Sequence, residues 1–114
     1  MANSLNLAVV NNVTNIAQGD TASTLVLEIL NEQNVQIVYL DNYQATVYLV
    51  NDGVVKYEQK CKIFDSRLEI NISEVLKPLD YIIEVHVEVD GFKYIFPSDI
   101  NYKLRINASN VIEV

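Results

Sequence analysis

The sequence has one cysteine and three glycines, and each shortage excludes a class of site. Because Cys61 has no second cysteine to pair with, the chain has no internal disulfide, which fits synthesis in a reducing compartment. Gly19, Gly53 and Gly91 are too scattered to build a phosphate-binding loop. No apolar run approaches the ~20 residues of a membrane-spanning helix, and residues 1–7 lack the basic and apolar regions of a signal peptide. We therefore expect no membrane partner.

Basic residues are also scarce, since 8 lysines and arginines stand against 15 aspartates and glutamates, a net charge of −7. That average field would repel a nucleic acid, so we expect no nucleic-acid partner. Half of the residues are apolar and only 20% are charged, which argues against disorder. A chain of 114 residues is the size of one self-supporting domain. We expect a single domain over residues 1–114, either alone or as the N-terminal part of a longer protein.

Apolar and polar residues alternate along most of the chain, which predicts half-buried β-strands. In residues 54–64, for example, the predicted buried side carries Val55, Tyr57, Cys61 and Ile63. Strand-forming residues dominate every such segment. Near the C-terminus, the residues predicted to share a face are Phe92, Tyr94 and Phe96.

Turn-forming residues separate the alternating segments. Residues 51–53 and 90–91 predict β-hairpins, because Gly, Asn and Asp accept the positive φ that primed turns require. Residues 65–66 predict another turn. Counting gives eight or nine short strands with a turn every 8–12 residues, which is typical of an antiparallel sandwich or barrel. The expected strands lie within residues 7–16, 24–30, 45–50, 54–64, 68–72, 81–89, 92–96 and 102–106.

Two segments depart from simple alternation. In residues 73–79, Ser73 could cap one helical turn and Pro78 would end it, so we expect a short helical turn there. Residues 35–40 are apolar on both faces. The favoured interpretation is a central or sheet-crossing strand covered on both sides; the alternative is an edge left exposed for a neighbouring subunit.

The chain offers few groups for catalysis, because His86 is its only histidine. Glu84, His86 and Glu88 share one face of a predicted strand, and such a trio could bind a metal ion. Side chains at i and i+2 start about 6.5–7 Å apart, however, and solvated strand faces commonly carry Glu and His, so the solvated face is favoured. Cys61 is predicted to be a buried small apolar side chain. The sequence thus predicts no catalytic, metal or cofactor site, and no enzyme.

Two segments, with the order of strands between them, resemble a known family. The first is Gln18-Gly19-Asp20-Thr21 followed by the alternating residues 24–30; the second is Tyr94-Ile95-Phe96-Pro97-Ser98-Asp99, which leads into residues 102–106. Together they resemble the N-terminal domain of the upper baseplate protein (BppU) family of tailed phages that infect Gram-positive bacteria. The resemblance covers roughly residues 6–107.

The resemblance implies an immunoglobulin-like antiparallel β-sandwich, here of about 8 strands, in a virion structural protein. Such a domain docks onto the tail-tip hub formed by the distal tail protein and helps to present the receptor-binding proteins. It is made in the host cytoplasm, joins the baseplate as part of an oligomeric particle and carries no cofactor. The chain departs from the family at Asp80, which stands where the family has a glycine.

Three aliphatic residues are predicted to point outward on otherwise polar faces and are our candidates for partner docking: Val54, Ile82 and Ile95. Isolated exposed aliphatic side chains are also ordinary on protein surfaces. The alternative function is a carbohydrate-binding or adhesin-type immunoglobulin-like module. A row of exposed aromatic residues on one sheet would favour this alternative, whereas an apolar patch or a free strand edge would favour docking to a protein.

Overall fold

The computed structural model of the chain describes residues 5–11, 13–98 and 102–109. The described residues form nine strands and one 3-10 turn, which confirms the predicted all-β sandwich. The strands are β1 (Asn6–Val9), β2 (Asn15–Ala17), β3 (Thr24–Leu30), β4 (Gln44–Asn51), β5 (Val54–Lys62), β6 (Arg67–Asn71), β7 (Asp80–Val89), β8 (Phe92–Phe96) and β9 (Tyr102–Asn107).

The strands form two sheets. The smaller sheet has the order β1-β3-β6, and the larger sheet has the order β2-β9-β7-β4-β5. Strands β8 and β9 both pair with the same edge of β7. Strand β9 pairs with residues 80–83 of β7, and β8 pairs with residues 85–89. The buried side chains of both sheets pack between them, so the fold is a two-sheet β-sandwich.

The N-terminal segment differs from the prediction of one strand over residues 7–16. It divides into β1, which pairs with β3 in the smaller sheet, and β2, which pairs with β9 in the larger sheet. The second pairing is parallel, so the sandwich is not antiparallel throughout. The Asn11 side-chain amide donates a hydrogen bond to the Thr24 carbonyl at 2.7 Å. The polar chain after β1 therefore binds the end of β3 before it crosses to the other sheet.

The core lies between the two sheets and is built by the predicted alternation. Every second residue of β3, β4 and β7 is buried, and its neighbours face outward. Full burial of a Val, Leu, Ile or Phe side chain stabilises the fold by about 1.5–3 kcal/mol. The inward residues of these strands are Leu25, Leu27, Ile29, Ala45, Val47, Leu49, Tyr81, Ile83, Val85 and Val87.

Two-residue turns join β4 to β5 and β7 to β8, and a third closes the isolated bridge between Phe64 and Arg67, at the positions that the sequence predicted. Each has positive φ at both central residues, which is the geometry of a primed turn that matches the twist of the strands. The φ angles are 53° and 73° at Asp52 and Gly53, 52° and 64° at Asp65 and Ser66, and 50° and 83° at Asp90 and Gly91.

The prediction of a central or sheet-crossing strand over residues 35–40 is wrong, because the segment crosses between the sheets without forming a strand. This segment contains one β-bridge residue, Gln36, followed by a 3-10 turn over Val38–Leu40. Only Ile37 and Leu40 are buried. The segment connects the two sheets at the end of the sandwich, where no neighbouring strand offers a full ladder of hydrogen bonds.

The predicted helical turn in residues 73–79 is also absent, since the described segment has no helix. Its polar groups are bound by side chains of distant strands and loops instead. The Ser73 N–H donates to the Tyr57 hydroxyl at 3.1 Å, and the Gln18 amide donates to the Leu76 carbonyl at 2.9 Å. These bonds, together with the burial of Leu76, hold the segment against the sandwich.

A β-bulge changes the predicted faces at the start of β5. Leu49 pairs with Tyr57, whereas the next residue, Val50, pairs with Val55, so Lys56 is an extra residue without a partner. Because one inserted residue reverses the alternation, Val55 is 49% exposed rather than buried. Tyr57 and the residues after it keep the predicted faces.

Candidate functional site

Three connections meet at one end of the sandwich, because antiparallel strands bring alternate connections to the same end. They are residues 31–43 between β3 and β4, residues 63–66 between β5 and β6, and residues 90–91 between β7 and β8. The exposed apolar side chains at or beside these connections are called the apical surface: Val35, Val38, Tyr39, Tyr43, Phe64 and Phe92.

Aromatic residues are concentrated on the apical surface. Phe64 is 76% exposed, Phe92 74% and Tyr39 64%. Every phenylalanine and tyrosine that is strongly exposed among the described residues belongs to this surface. Aromatic side chains are enriched in protein interfaces and provide much of their binding energy. Their gathering at one end indicates a binding surface rather than scattered surface residues.

Phe92 was expected to share the buried face of Tyr94 and Phe96, and only Phe96 is fully buried. Phe92 pairs with Val89 in the last row of the sheet, beside the turn at residues 90–91. Side chains in this terminal row lie at the rim of the sandwich, so Phe92 is open to solvent.

Hydrogen bonds join two of the apical connections through Ser66, which is fully buried. The Ser66 hydroxyl donates to the Ile29 carbonyl at 2.6 Å and accepts from the Ile37 N–H at 2.9 Å. The Asp41 carboxylate accepts from the backbone N–H groups of Asp65 and Ser66 at 3.0 and 2.9 Å. These bonds fix residues 31–43 against residues 63–66.

Side chains also hold the first part of the connection between β3 and β4. The Asn31 carboxamide oxygen accepts from the N–H groups of Gln33 and Val35 at 2.9 and 3.0 Å. The Gln36 amide donates to the Glu28 carboxylate at 2.8 Å. Exposed Val35 is therefore presented by an ordered turn.

Three aromatic rings pack in succession from the apical surface towards the core. The ring centroids of Tyr39 and Tyr94 are 6.4 Å apart, and those of Tyr94 and Phe96 are also 6.4 Å apart. Such separations are typical of attractive aromatic pairs. Partial burial raises the pKa of the Tyr39 hydroxyl, and the nearby Tyr94 raises it further. The hydroxyl therefore stays neutral at physiological pH. The 3-10 turn is thus anchored to β8.

The three docking residues predicted from the sequence lie apart from the apical surface. Val54 is 52% exposed at the turn between β4 and β5, at the opposite end of the sandwich. Ile95 is 39% exposed and lies beside His86. Ile82 is half-buried and lies on β7 four residues from His86, a distance of about 13 Å along the strand. The structure does not bring the three together, and their role in docking stays a prediction.

Glu84 and His86 contact each other on the outer face of the larger sheet. The His86 Nε2 lies 2.6 Å from a Glu84 carboxylate oxygen, and the Tyr48 ring packs edge-on against the imidazole at 4.7 Å. The described residues contain no group of three or more His, Cys, Asp or Glu placed to hold a metal ion. Burial raises the pKa of the Cys61 thiol to about 11, which keeps it protonated and weakly nucleophilic at neutral pH.

Comparisons of the chain with family models, with curated proteins and with solved structures found no match. The part of the chain that the structure describes contains no helix long and apolar enough to cross a membrane.

Proposed function

We propose that this chain is an adaptor domain of a phage baseplate or tail tip, a virion structural protein that docks onto the distal tail hub. In that role it helps to present the receptor-binding proteins and acts within an oligomeric particle. Two kinds of observation support the proposal: the residues that resemble the upper baseplate protein family, and the β-sandwich with one apolar, aromatic end.

The apical surface is the observation that carries the proposal, because it combines exposed aromatic groups with an ordered backbone. Asp41 and Ser66 fix the loops that present Tyr39 and Phe64. A surface that is ordered before binding loses less conformational entropy when the partner arrives. Large aromatic side chains on such loops provide contact area at low entropic cost.

The alternative is a carbohydrate-binding or adhesin-type module, favoured by the exposed hydroxyl-bearing rings of Tyr39 and Tyr43. A sugar-stacking platform would place aromatic rings in a row along one sheet. The exposed rings lie instead on two connections and at the start of β8. This arrangement favours docking to a protein.

Calorimetry tests the proposal by measuring whether the chain binds the purified distal tail protein of the phage that encodes it. Phe64→Ser and Phe92→Ser should each weaken binding by about tenfold or more, because truncated interface aromatics commonly cost above 1 kcal/mol. Val75→Ser is the matched control, since Val75 is 72% exposed in a connection outside the apical surface.

The proposal fails if the wild-type chain shows no binding to the hub protein, or if all three variants bind equally well. Binding to host-cell polysaccharide that is lost in Tyr39→Ala, with no binding to the hub protein, would establish the carbohydrate-binding alternative.

A further inference from the structure

A polar groove of about 480 Å³ lies on the outer face of the larger sheet, away from most of the apical surface. Strands β5, β4, β7 and β8 form its floor. The side chains that line it come from these strands and from the residue before β4: Tyr43, Gln44, Thr46, Tyr48, Lys60, His86, Glu88 and Lys93.

The register of the strands places the central groups of the groove in one row. Lys60 of β5 pairs with Thr46 of β4, and Thr46 pairs with His86 of β7. Lys93 of β8 pairs with Glu88, two residues further along β7. Lys60 and Lys93 therefore lie on strands three spacings apart, about 14 Å, with hydroxyl and imidazole groups between them.

The groove is less acidic than the protein as a whole. Its lining contains two lysines and one glutamate, whereas the whole chain has a net charge of −7. Neither Lys60 nor Lys93 forms an ion pair with any carboxylate of the described residues. Although Glu88 lies opposite Lys93 in the sheet, two exposed ammonium groups that form no ion pair and line one cleft attract an anionic ligand.

The middle of the groove is ordered before a ligand binds. The Glu84 contact at 2.6 Å and the edge-on packing against Tyr48 fix the orientation of the His86 ring. Only 23% of the His86 side chain is exposed. The Thr46 hydroxyl beside this ring, the Tyr48 hydroxyl and the Glu88 carboxylate can exchange hydrogen bonds with ligand hydroxyl groups.

We propose that this groove binds a sugar that carries phosphate groups. The Lys60 and Lys93 ammonium groups bind the phosphates, and Thr46, Tyr48 and Glu88 bind the sugar hydroxyls. Lysine side chains extend several ångströms inward from their strands, so a sugar with a phosphate at each end spans the distance, whereas a single phosphate ion reaches one lysine only. This site is independent of the docking function proposed above.

The experiment uses the NMR signals of the His86 ring, which are unambiguous because the chain has one histidine. The full chain is titrated with glucose 1,6-bisphosphate, glucose and inorganic phosphate, each to about 10 mM, above a Kd of about 1 mM. We expect the bisphosphate to shift the ring signals saturably, and glucose and inorganic phosphate to shift them little.

Lys60→Gln and Lys93→Gln should each weaken bisphosphate binding about fivefold, as expected for loss of one exposed charge contact. Both side chains are solvent-exposed, so the fold should remain intact. Lys103→Gln is the control, because Lys103 lies on the same sheet opposite Ile82, outside the groove.

The proposal is overturned if glucose 1,6-bisphosphate does not shift the His86 signals. It is also overturned if inorganic phosphate binds equally well, which would mean a nonspecific anion site, or if Lys103→Gln weakens binding as much as the two groove variants. Saturable binding of glucose alone would likewise contradict a role for the lysines.

Discussion

Asp41 and Ser66 form the hydrogen-bonded junction between the two longest apical connections. The Asp41 carboxylate binds the Ser66 N–H at 2.9 Å and the neighbouring Asp65 N–H at 3.0 Å, across 25 and 24 residues of sequence. Ser66 in turn binds Ile29 and Ile37 through its hydroxyl. The apical surface therefore depends on one carboxylate and one hydroxyl group that the hydropathy pattern does not single out.

Asp41→Ala should lower the free energy of unfolding by about 1–3 kcal/mol, because two backbone N–H groups lose a charged acceptor. Urea denaturation measures the change. Asp65→Asn is the control, since the Asp65 carboxylate has no hydrogen-bond partner among the described residues and Asn tolerates its φ of 52°. Equal losses in the two variants would show that Asp41 does not hold the junction.

Ser66→Ala should lower the free energy of unfolding by about 1–3 kcal/mol, because the buried Ile37 N–H loses its acceptor. Ser66→Gly also loses the hydroxyl but relieves the φ of 64°. Thermal denaturation should therefore rank the wild type first, the glycine variant second and the alanine variant last. An alanine variant as stable as the wild type would mean that the hydroxyl contributes nothing.

Phe96→Ala should lower the free energy of unfolding by about 3–5 kcal/mol, because Phe96 is fully buried and its removal leaves a cavity. Phe92→Ala removes an equal side chain from the same strand at the exposed rim, so its effect should stay within about 0.5 kcal/mol. Chemical denaturation of the two variants compares them directly. An unchanged midpoint for Phe96→Ala would contradict its place in the core.

Cys61 should make stability depend on pH in the alkaline range. Burial raises the pKa of the thiol from 9.0 to about 11 in the folded protein. The folded state therefore holds the proton more tightly than the unfolded state does, and this contribution is fully present below pH 9. It is lost as the pH rises from 9.0 towards about 11.

Comparison with Cys61→Ser isolates that contribution, because other groups also titrate in this range. The decline in unfolding free energy between pH 9.0 and about 11 should be shallower in the serine variant. Below pH 9.0, a thiol reagent should also modify the native chain more slowly than the urea-unfolded chain. Equal slopes and equal modification rates would show that the thiol is not desolvated.

Alternation was a reliable guide in the central strands of the two sheets. The inward side chains of β3, β4 and β7 follow the period of two, because each strand covers the same core and a slip of one residue would expose all its apolar groups. The same rule was wrong for Val55, where the bulge at Lys56 reverses the faces. A bulge arises from the way two strands pair, so the residue pattern of one strand does not reveal it.

Local chemistry in the sequence determined the all-β class and its primed turns, since Asp-Gly pairs and alternating β-branched residues act over a few positions. Only the tertiary structure decided that residues 35–40 close the end of the sandwich, and that Tyr39, Phe64 and Phe92 are exposed at that same end. Apolar side chains look alike in a sequence whether they are covered or not. Whether another element covers them is a property of the assembled sheets.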